Sequence, residues 1–454
     1  MKNKILIANR GEIAVRIIRA CKELGIETVA IYSEADETSL HVKLADEAIC
    51  IGQASSKESY LNMNSVLSAA ISTGCNAIHP GYGFLSENAQ FVEMVESCNI
   101  TFIGPSSKTI AQIGDKASAR SIAKSSGVPV VEGSDGVVEH AQEGLKIAKK
   151  IGYPVMMKAT SGGGGRGISI ARSDEEFLNA FEKTSTEAEI SFGDKSLYIE
   201  KFIEAPRHIE IQIIADQMGN VVHLFERDCS MQRRNQKMLE ETPSPILNDL
   251  LRRKIGTAAI KLAKAINYVN AGTMEFLVDS KGNFYFIEMN TRIQVEHPIT
   301  EMITGVDLVK EQIKIAYGKE LSFKQRDIHM VGHSIECRIN AEHAMKGFIP
   351  APGKINNILF PGGPGIRIDT HIYPGYEIPP FYDSMIAKLI VHAPTRREAI
   401  KKMRVALEQF VVEGIHTNIE YQYLIMHNPD FIKGQYDTGF IARFNALVEA
   451  ENRE

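Results

Sequence analysis

Residues 272–290 read GTMEFLVDSKGNFYFIEMN, two runs of strand-forming residues on either side of a turn at Ser280–Asn283. This pattern predicts a β-hairpin in which Glu275 lies directly opposite Glu288 on one face. Like charges at that spacing destabilise a sheet, and a divalent cation shared with nucleotide phosphates would remove the repulsion. Asn290, two residues along, shares this face. The stretch therefore predicts a metal site, although a register slipped by one residue would remove the pairing.

Polar and apolar residues continue to alternate beyond the hairpin. A solvated strand face is the ordinary interpretation of such alternation. Here the polar positions combine acids, amides and a guanidinium with the two metal-type carboxylates, which favours a lined binding site. The polar positions are Glu288, Asn290, Arg292, Gln294 and Glu296, and the apolar ones are Met289, Ile293 and Val295.

A glycine-rich segment follows the predicted strand Tyr153–Ala159. Gly162–Gly167 contains five glycines around Arg166, and Ile168–Ile170 reads as the returning strand. Glycines let a backbone approach a phosphate with several N–H groups, and Lys158 and Arg166 add positive charge nearby. The segment is not a Walker A loop, which requires G-x-x-x-x-G-K-[ST]. A phosphate-binding loop and a flexible hairpin are the two alternatives.

A short basic cluster lies between Gln232 and Lys237, just before Glu240 and Glu241. Such a charge run is ordinarily part of the surface. If the chain holds a triphosphate and a second anion, these lysine and arginine side chains would instead face the site.

The first hundred residues alternate short apolar strands with amphipathic helices. Lys4–Ala8 and Thr28–Ser33 predict buried strands, and Glu12–Leu24 between them has helical spacing. This βαβ pattern extends to about residue 113 and predicts a parallel sheet. The first turn carries only Gly11, so the dinucleotide fingerprint is absent. The turn-rich segment His79–Asn88 is either a structural turn or a ligand loop at the carboxyl end of a strand.

The sequence predicts an α/β fold class, or α+β over the whole chain. It also predicts four segments. Residues 1–113 form the N-terminal α/β domain, and residues 204–330 are strand-rich and then helical. Residues 114–203 include a compact unit over about 130–203 that carries the glycines and predicts a mobile lid. Residues 331–454 are β-rich and close with helices from Arg396 onward.

Length and composition argue against several classes of protein. The chain has 454 residues, a net charge of −5, 44% hydrophobic and 24% charged residues, which is typical of a globular protein rather than a broad nucleic-acid binder. The apolar run after Met1–Lys4 is too short for a signal peptide, and no run approaches the roughly 18 residues of a membrane helix. The six cysteines are scattered without a C-x-x-C pair, so we expect a cytoplasmic location without zinc or disulfides.

Six segments, in order and over essentially the whole chain, resemble biotin carboxylase, the ATP-grasp subunit or domain of biotin-dependent carboxylases. They are Ile7–Ala14, His79–Asn88, Gly162–Gly167, Glu226–Ser230, Phe286–Pro298 and Tyr382–Met385. The resemblance implies an ATP-grasp fold with a Rossmann-like N-terminal α/β domain, a mobile lid and a β-rich C-terminal domain. It also implies a ligase that carboxylates biotin with ATP and bicarbonate through carboxyphosphate.

The resemblance further implies a role for each matching residue. Glu275 and Glu288 would hold Mg²⁺ or Mn²⁺ with Asn290 close by, and Tyr82 would contact biotin. Residues at the phosphates, adenine and ribose of ATP would be Lys116, Lys158, Gly163, Gly164, Gly165, Glu200, Lys201, Ile203, His208 and Gln232. Bicarbonate would be held by Lys237, Arg292, Gln294 and Val295.

The expected chemistry follows from these roles. Glu296 would remove the proton of bicarbonate as general base, while Arg292 and Lys237 neutralise charge. The bicarbonate oxygen then attacks the γ-phosphoryl group, and carboxyphosphate releases CO₂ beside biotin. Deprotonated biotin needs an oxyanion partner, and the permanent charge of Arg338 suits that role.

Two local features depart from the family pattern. Asn235 stands where family members often carry His, and Thr160-Ser161 shortens the glycine run at its start. Ala344-Met345-Lys346-Gly347 is similar to the A-M-K-M biotin attachment site but lacks the second Met. We interpret Lys346 as a surface lysine and expect biotin on a separate polypeptide.

The expected partners are a biotin carboxyl carrier protein, carboxyltransferase subunits and a second copy of the chain in a homodimer, without nucleic acid or membrane. The parent enzyme expected is an acetyl-CoA carboxylase of fatty acid synthesis, with a pyruvate or other acyl-CoA carboxylase as alternatives. Another ATP-grasp ligase would not need Glu296 and Arg338 together. A non-catalytic nucleotide-binding module would need neither a metal pair nor a base.

Overall fold

The computed structural model of the chain describes residues 3–160 and 167–451. Gly163, Gly164 and Gly165, to which ATP contacts were assigned, and Arg166 lie outside these residues. No helix in the described ranges is long and apolar enough to cross a membrane.

The N-terminal unit is a parallel sheet flanked by helices. Its strands are β1 (Lys4–Ile7), β2 (Glu27–Tyr32), β3 (Glu47–Cys50), β4 (Ala77–His79) and β5 (Thr101–Phe102), in the order β3-β2-β1-β4-β5. Its helices are α1 (Gly11–Glu23), α2 (Leu40–Leu44), α3 (Met63–Ser72), α4 (Ala89–Ser97) and α5 (Ser107–Gly114). The central strand is covered on both faces, so Ile5, Leu6 and Ile7 are all fully buried. The predicted parallel sheet is thus present.

A small α/β unit follows with a core of its own. Helix α6 (Lys116–Ser125) precedes this unit and packs through Ala119 and Ala123 in a different cluster. The unit itself contains α7 (Ala141–Ile151), β6 (Val155–Ala159), β7 (Ile168–Ala171), α8 (Asp174–Phe192) and β8 (Leu197–Lys201). The three strands form an antiparallel sheet in the order β7-β6-β8, and Lys158 pairs with Ile168. Val155, Met157 and Phe177 are fully buried in a cluster that other units do not enter.

The rest of the chain is organised around one eight-stranded antiparallel sheet. The elements before residue 331 are β9 (Arg207–Ala215), β10 (Val221–Arg233), β11 (Gln236–Thr242), α9 (Asp249–Ala265), β12 (Asn270–Val278), β13 (Phe284–Asn290), α10 (His297–Thr304) and α11 (Leu308–Ala316). The later strands are β14 (His333–Asn340), β15 (Glu342–His343), β16 (Ile349–Pro350), β17 (Gly353–Lys354), β18 (Asn357–Leu359), β19 (Ile366–Thr370), β20 (Glu377–Ile378), β21 (Met385–Ala393) and β22 (Val411–Glu413). The later helices are α12 (Arg396–Gln409), α13 (Ile419–His427), α14 (Pro429–Ile432) and α15 (Phe440–Glu451).

The large sheet runs in the order β13-β12-β9-β10-β11-β14-β21-β19, so strands from both sides of residue 331 share it. Its period of two separates a core face from a polar face. On β9, Ile209, Ile211 and Ile213 are buried in the cluster that includes the apolar side of α9. His208, Glu210 and Gln212 must therefore lie on the opposite face, and this polar face carries the candidate site.

Candidate active site

A large cavity of about 2220 Å³ lies among the N-terminal unit, the small α/β unit and the polar face of the eight-stranded sheet. The structure brings together at this cavity nearly all the described residues to which the sequence assigned a role. Those lining it are Tyr82, Lys116, Lys158, Glu200, Lys201, Ile203, His208, Gln232, Lys237, Glu275, Glu288, Asn290, Arg292, Gln294, Val295 and Arg338. Glu296 is the exception, because it is fully buried behind the wall.

Four neighbouring strands each place one charged residue in a single row across the polar face. Arg227 on β10 lies opposite Glu210 on β9, and Glu210 lies opposite Glu275 on β12. Glu275 in turn lies opposite Glu288 on β13. Arg227 forms a fully buried ion pair with Glu210. The row thus contains one guanidinium and three carboxylates, so its negative charge exceeds its positive charge.

The predicted pairing of Glu275 with Glu288 is present, but the hairpin reaches it through a bulge. Next to the turn the register is shifted by one residue, and Phe276 pairs with Phe286. Ile287 is the extra residue that restores the predicted register at Glu288. Without this bulge, Glu275 would oppose Ile287 and the side chain of Glu288 would face the core.

Lys237 supplies much of the missing positive charge. Its Nζ lies 2.5 Å from Oε2 of Glu210, 3.0 Å from Oε1 of Glu275 and 2.8 Å from Oε1 of Glu296. Glu210 and Glu296 are fully buried. The ammonium group thus contacts all three carboxylates. Lys237 therefore links the predicted metal pair to the predicted base.

Glu288 remains short of a counter-charge. Within the ranges 3–160 and 167–451, no lysine or arginine forms an ion pair with it. Burial, and then repulsion from Glu275, raises the pKa of Glu288 above its ordinary value. Burial also raises the pKa of Glu275, but Lys237 and His208 outweigh it and lower that pKa. Two facing carboxylates, one lacking a cation, are a donor set that fits a divalent metal.

Glu296 does not continue the strand of the hairpin. The strand ends at Asn290, so the polar residues beyond that point do not lie on a strand, and Glu296 occupies the N-cap position of α10. Its Oε2 lies 3.0 Å from Nη2 of Arg338, while Lys237 holds the other oxygen. Burial raises the pKa of Glu296, but Lys237 and Arg338 outweigh it, so the pKa is well below its ordinary value. The side chain is therefore an ionised carboxylate.

Arg338 lies between two carboxylates, at the end of the series of ion pairs that begins at Glu275. Its Nε donates to Oε1 of Glu240 at 2.7 Å, and its Nη2 donates to Glu296. Glu336 lies opposite Glu240 on the neighbouring strand, and both are fully buried. Burial raises the pKa of Glu240 to about 7 and raises that of Glu336 well above its ordinary value. Arg338 thus stays charged beside acids that can become neutral.

Arg292 is oriented by three acceptor side chains and by the carbonyl oxygen of Ile293. Its Nε donates to Glu87 at 2.7 Å, and its two Nη atoms donate to Gln294 Oε1 and Asn290 Oδ1, both at 3.1 Å. Asn290 also donates from Nδ2 to Oε1 of Glu275 at 2.9 Å. Glu87 belongs to the turn-rich segment His79–Asn88, which therefore reaches the cavity. Of the two alternatives left open for that segment, the ligand-facing loop agrees with its place.

The remaining predicted nucleotide residues line the end of the cavity that β6, β8 and α6 form. Lys158 forms an ion pair with Glu200 on the neighbouring strand. Lys201 donates from Nζ to the carbonyl oxygens of Gly152 at 3.0 Å and Tyr153 at 2.7 Å, so its ammonium group anchors the backbone. Lys116 is the first residue of α6.

His208 and Gln232 connect this end to the metal pair. His208 Nε2 lies 2.9 Å from Oε2 of Glu275, and its Nδ1 lies 3.0 Å from Nε2 of Gln232. Asn235 lines the cavity from the two-residue turn between β10 and β11, where Arg234 and Asn235 have φ values of 51° and 64°. Asn is among the residues that tolerate this left-handed conformation.

The structure adds acidic and basic residues that the sequence analysis did not single out. Glu210 is the most central of them, because it holds both Arg227 and Lys237. A signal was available in residues 207–213, where His208, Glu210 and Gln212 alternate with isoleucines. Glu87 and Arg227 lie in segments that the resemblance covers but received no role there, and nothing comparable marks Glu336 and Lys388.

Three segments of the chain match known protein families. Residues 1–110 match the family described as biotin carboxylase, N-terminal domain, and residues 336–443 match biotin carboxylase C-terminal domain. The chain belongs to the biotin carboxylase family. Between these matches, residues 115–324 match carbamoyl-phosphate synthase L chain, ATP binding domain. The predicted ATP-grasp fold of a biotin carboxylase-type ligase is thereby confirmed.

Relatives of this biotin carboxylase family member match over most or all of their length. Biotin carboxylase 1 of Bacillus subtilis is 56% identical over 98% of this chain and 100% of its own length. A pyruvate carboxylase subunit of Methanothermobacter thermautotrophicus is 52% identical over 100% of this chain and 92% of its own. The structure of the biotin carboxylase domain dimer of the Hydrogenobacter thermophilus 2-oxoglutarate carboxylase, with MgADP and bicarbonate, has a TM-score of 0.92, 52% identity and 99% coverage of both chains.

Proposed function

We propose that this biotin carboxylase family member uses ATP and bicarbonate to carboxylate biotin carried on a separate polypeptide. The observation that carries the proposal is the unbroken chain of contacts from Glu275 through Lys237 and Glu296 to Arg338. This order supports the proposal, because the residues proposed as metal ligand, bicarbonate cation, base and oxyanion partner follow one another as the two half-reactions need.

The first half-reaction uses the residues around Lys237. Lys237 and Arg292 would neutralise bicarbonate, with Gln294 and the Val295 backbone completing its site. Glu296 would take the bicarbonate proton, because it is ionised and shares Lys237 with the substrate anion. The bicarbonate oxygen then attacks the γ-phosphoryl of ATP, forming carboxyphosphate and releasing ADP.

ATP would occupy the other end of the cavity. Lys116 and Lys158, with Gly163, Gly164 and Gly165, would hold its phosphates; the remaining contacts would come from Glu200, Lys201, Ile203, His208 and Gln232. Glu275 and Glu288 would hold Mg²⁺ or Mn²⁺, with Asn290 close by. A divalent cation bound there neutralises phosphate charge during phosphoryl transfer. The MgADP and bicarbonate bound to the Hydrogenobacter relative support these assignments.

The second half-reaction uses Arg338 and Tyr82. Carboxyphosphate breaks down to CO₂ and phosphate. The released phosphate would take the N1′ proton of biotin, and N1′ would then attack CO₂ to form carboxybiotin. The guanidinium of Arg338 would stabilise the negative charge that develops on the ureido oxygen. Tyr82 lines the cavity next to this end and would bound the biotin pocket.

We also propose the assembly and context of the enzyme. The partners would be a biotin carboxyl carrier protein, carboxyltransferase subunits and a second copy of the chain, without nucleic acid or membrane. The parent would be an acetyl-CoA carboxylase, with a pyruvate carboxylase as the alternative that the Methanothermobacter relative favours. All six cysteines are free thiols, which supports a reducing, cytoplasmic location.

The domain boundaries proposed are those of the sequence analysis, at about residues 113, 203 and 330. The unit over about 130–203 would be the lid. Its separate hydrophobic core supports this role, because a unit with its own core can move as one body.

An assay of ADP release and carboxybiotin formation tests the proposed function. The purified chain should release ADP only with bicarbonate and should carboxylate free biotin or a biotinyl carrier domain. ADP release that instead depends on an amine and a carboxylate substrate would identify another ATP-grasp ligase. No ADP release under any of these conditions would indicate a nucleotide-binding module.

Glu288→Gln tests the metal pair. The substitution keeps the size of the side chain but removes one of two facing carboxylates, so we expect turnover at saturating ATP to fall by about 10²-fold or more, the scale of a lost transition-state electrostatic contact. The measurement is ADP release as a function of Mg²⁺ and Mn²⁺ concentration. Asp279→Asn, in the exposed turn of the same hairpin, is the matched control. Unchanged turnover at every metal concentration would remove Glu288 from the metal site.

A further inference from the structure

Lys388 is a fully buried lysine for which the mechanism above has no role. It lies on β21 between Arg338 on β14 and Asp369 on β19, so the three residues form a row across neighbouring strands. Its side chain has 0% exposure. Burying an ammonium group is costly unless it is paired and hydrogen-bonded, so the contacts of Lys388 show what it holds in place.

Lys388 contacts three segments of the chain that are far apart in the sequence. Its Nζ donates to the carbonyl oxygen of Val295 at 3.0 Å. The same Nζ lies 3.1 Å from Oε1 of Glu12 on α1 and 3.9 Å from Oδ2 of Asp369. Oε1 of Glu12 also accepts a hydrogen bond from the hydroxyl of Tyr82. A single buried cation thus connects Val295 to Tyr82.

Both ends of this connection line the cavity at sites assigned to different substrates. Val295 was assigned to bicarbonate and Tyr82 to biotin, and both lie in the cavity wall together with Glu12. Val295 belongs to the irregular segment between β13 and α10, so its backbone is not part of a β-sheet. A hydrogen bond from a charged donor is therefore a principal restraint on its carbonyl group.

We propose that Lys388 is a positioning residue that holds the Val295 carbonyl in the bicarbonate subsite and, through Glu12, ties it to Tyr82 in the biotin subsite. The proposal rests on the proposed function, because it uses those two subsites. It assigns Lys388 no contact with substrate. Its consequence is that bicarbonate and biotin binding depend on one buried ion pair, whereas ATP binding does not.

Lys388→Met removes the ammonium group and keeps an unbranched side chain. We expect the KM for bicarbonate to rise by about ten- to a hundred-fold, the scale of a lost hydrogen bond to a charged group, with a smaller rise in the KM for biotin. The KM for ATP should change by less than about twofold, because the contacts of Lys388 within the described residues are to Val295, Glu12 and Asp369, none of which was assigned to ATP. The three constants are measured from ADP release and carboxybiotin yield.

A double variant separates positioning from stability. Lys388→Met alone leaves the Glu12 carboxylate buried without its cation, so it should lower the Tm. Lys388→Met with Glu12→Gln removes both charges and should recover Tm, but the Val295 carbonyl still lacks its donor, so the KM for bicarbonate should stay high. Arg252→Met, which breaks the buried pair with Glu226 outside the cavity, is the matched control and should lower Tm without altering any KM.

Two results would overturn the proposal. One is recovery of the bicarbonate KM together with Tm in the double variant, since the role of Lys388 would then be structural only. The other is an equal rise in the KM values for ATP, bicarbonate and biotin. If the unmodified chain itself fails to carboxylate biotin, the proposed function fails instead, and the two failures are thus distinguishable.

Discussion

Glu296→Gln is expected to lower bicarbonate-dependent ATP cleavage and biotin carboxylation together, by about 10²- to 10⁴-fold, the usual contribution of a general base. The amide has the same size but cannot accept the bicarbonate proton. Both ADP and carboxybiotin form only through carboxyphosphate, so both activities should fall. Side-by-side measurement of ADP and carboxybiotin at saturating ATP and bicarbonate checks this expectation.

The low pKa of Glu296 is compatible with its proposed role as a base. Burial alone would raise the pKa, and Lys237 and Arg338 more than reverse that effect. A group whose pKa is lowered in the folded state is ionised at assay pH and loses that state only as the pH falls through the folded pKa. A bicarbonate anion beside Lys237 draws on the same positive charge, which raises the proton affinity of Glu296 when the proton must be taken.

Glu226→Gln is the matched control for this variant. Glu226 is also fully buried and also held by an arginine, Arg252, but it lies outside the cavity. It should lose stability while keeping both activities per folded molecule. If Glu296→Gln retained ADP release but lost carboxybiotin, bicarbonate activation would belong to another group, and Glu296 would act on biotin instead.

The sequence predicted the site best where one strand pairing settled the geometry. The hairpin pattern predicts that Glu275 and Glu288 lie opposite each other, and they do. The route to that result was incomplete, because the turn is tighter than assumed and the bulge at Ile287 compensates by one residue. Bulges depend on side-chain packing from neighbouring strands, which a single hairpin sequence does not contain.

Long-range partners could not be predicted in the same way. Lys237 and Glu296 are 59 positions apart in the chain, yet their side chains form an ion pair. Glu296 reaches the site from a helix N-cap rather than from the strand that the alternation suggested. The resemblance to biotin carboxylase supplied these residues, whereas Glu210 and Lys388, to which it assigned no role, were identified from the packing of the eight-stranded sheet.

Arg338→Met should separate the two half-reactions. We expect carboxybiotin formation to fall by about 10²- to 10³-fold, the loss typical of one charged donor to a developing oxyanion. ADP release should fall much less, because carboxyphosphate can still form at Lys237 and Glu296 and then hydrolyse. The fall in ADP release will not be zero, since Arg338 is one of the two cations that hold Glu296.

The environment of Arg338 makes this variant a fair test. Burial raises the pKa of Glu240 to about 7 even beside the guanidinium, so without Arg338 this acid takes up a proton instead of remaining a buried, unpaired charge. The next residue, Glu241, offers the matched control, because it pairs with Arg396 at 2.7 Å and does not line the cavity. Arg396→Met should reduce stability, with both activities retained in the folded fraction. Equal losses of ADP release and carboxybiotin in Arg338→Met, with normal folding, would show that Arg338 acts with Glu296 on bicarbonate and not on biotin.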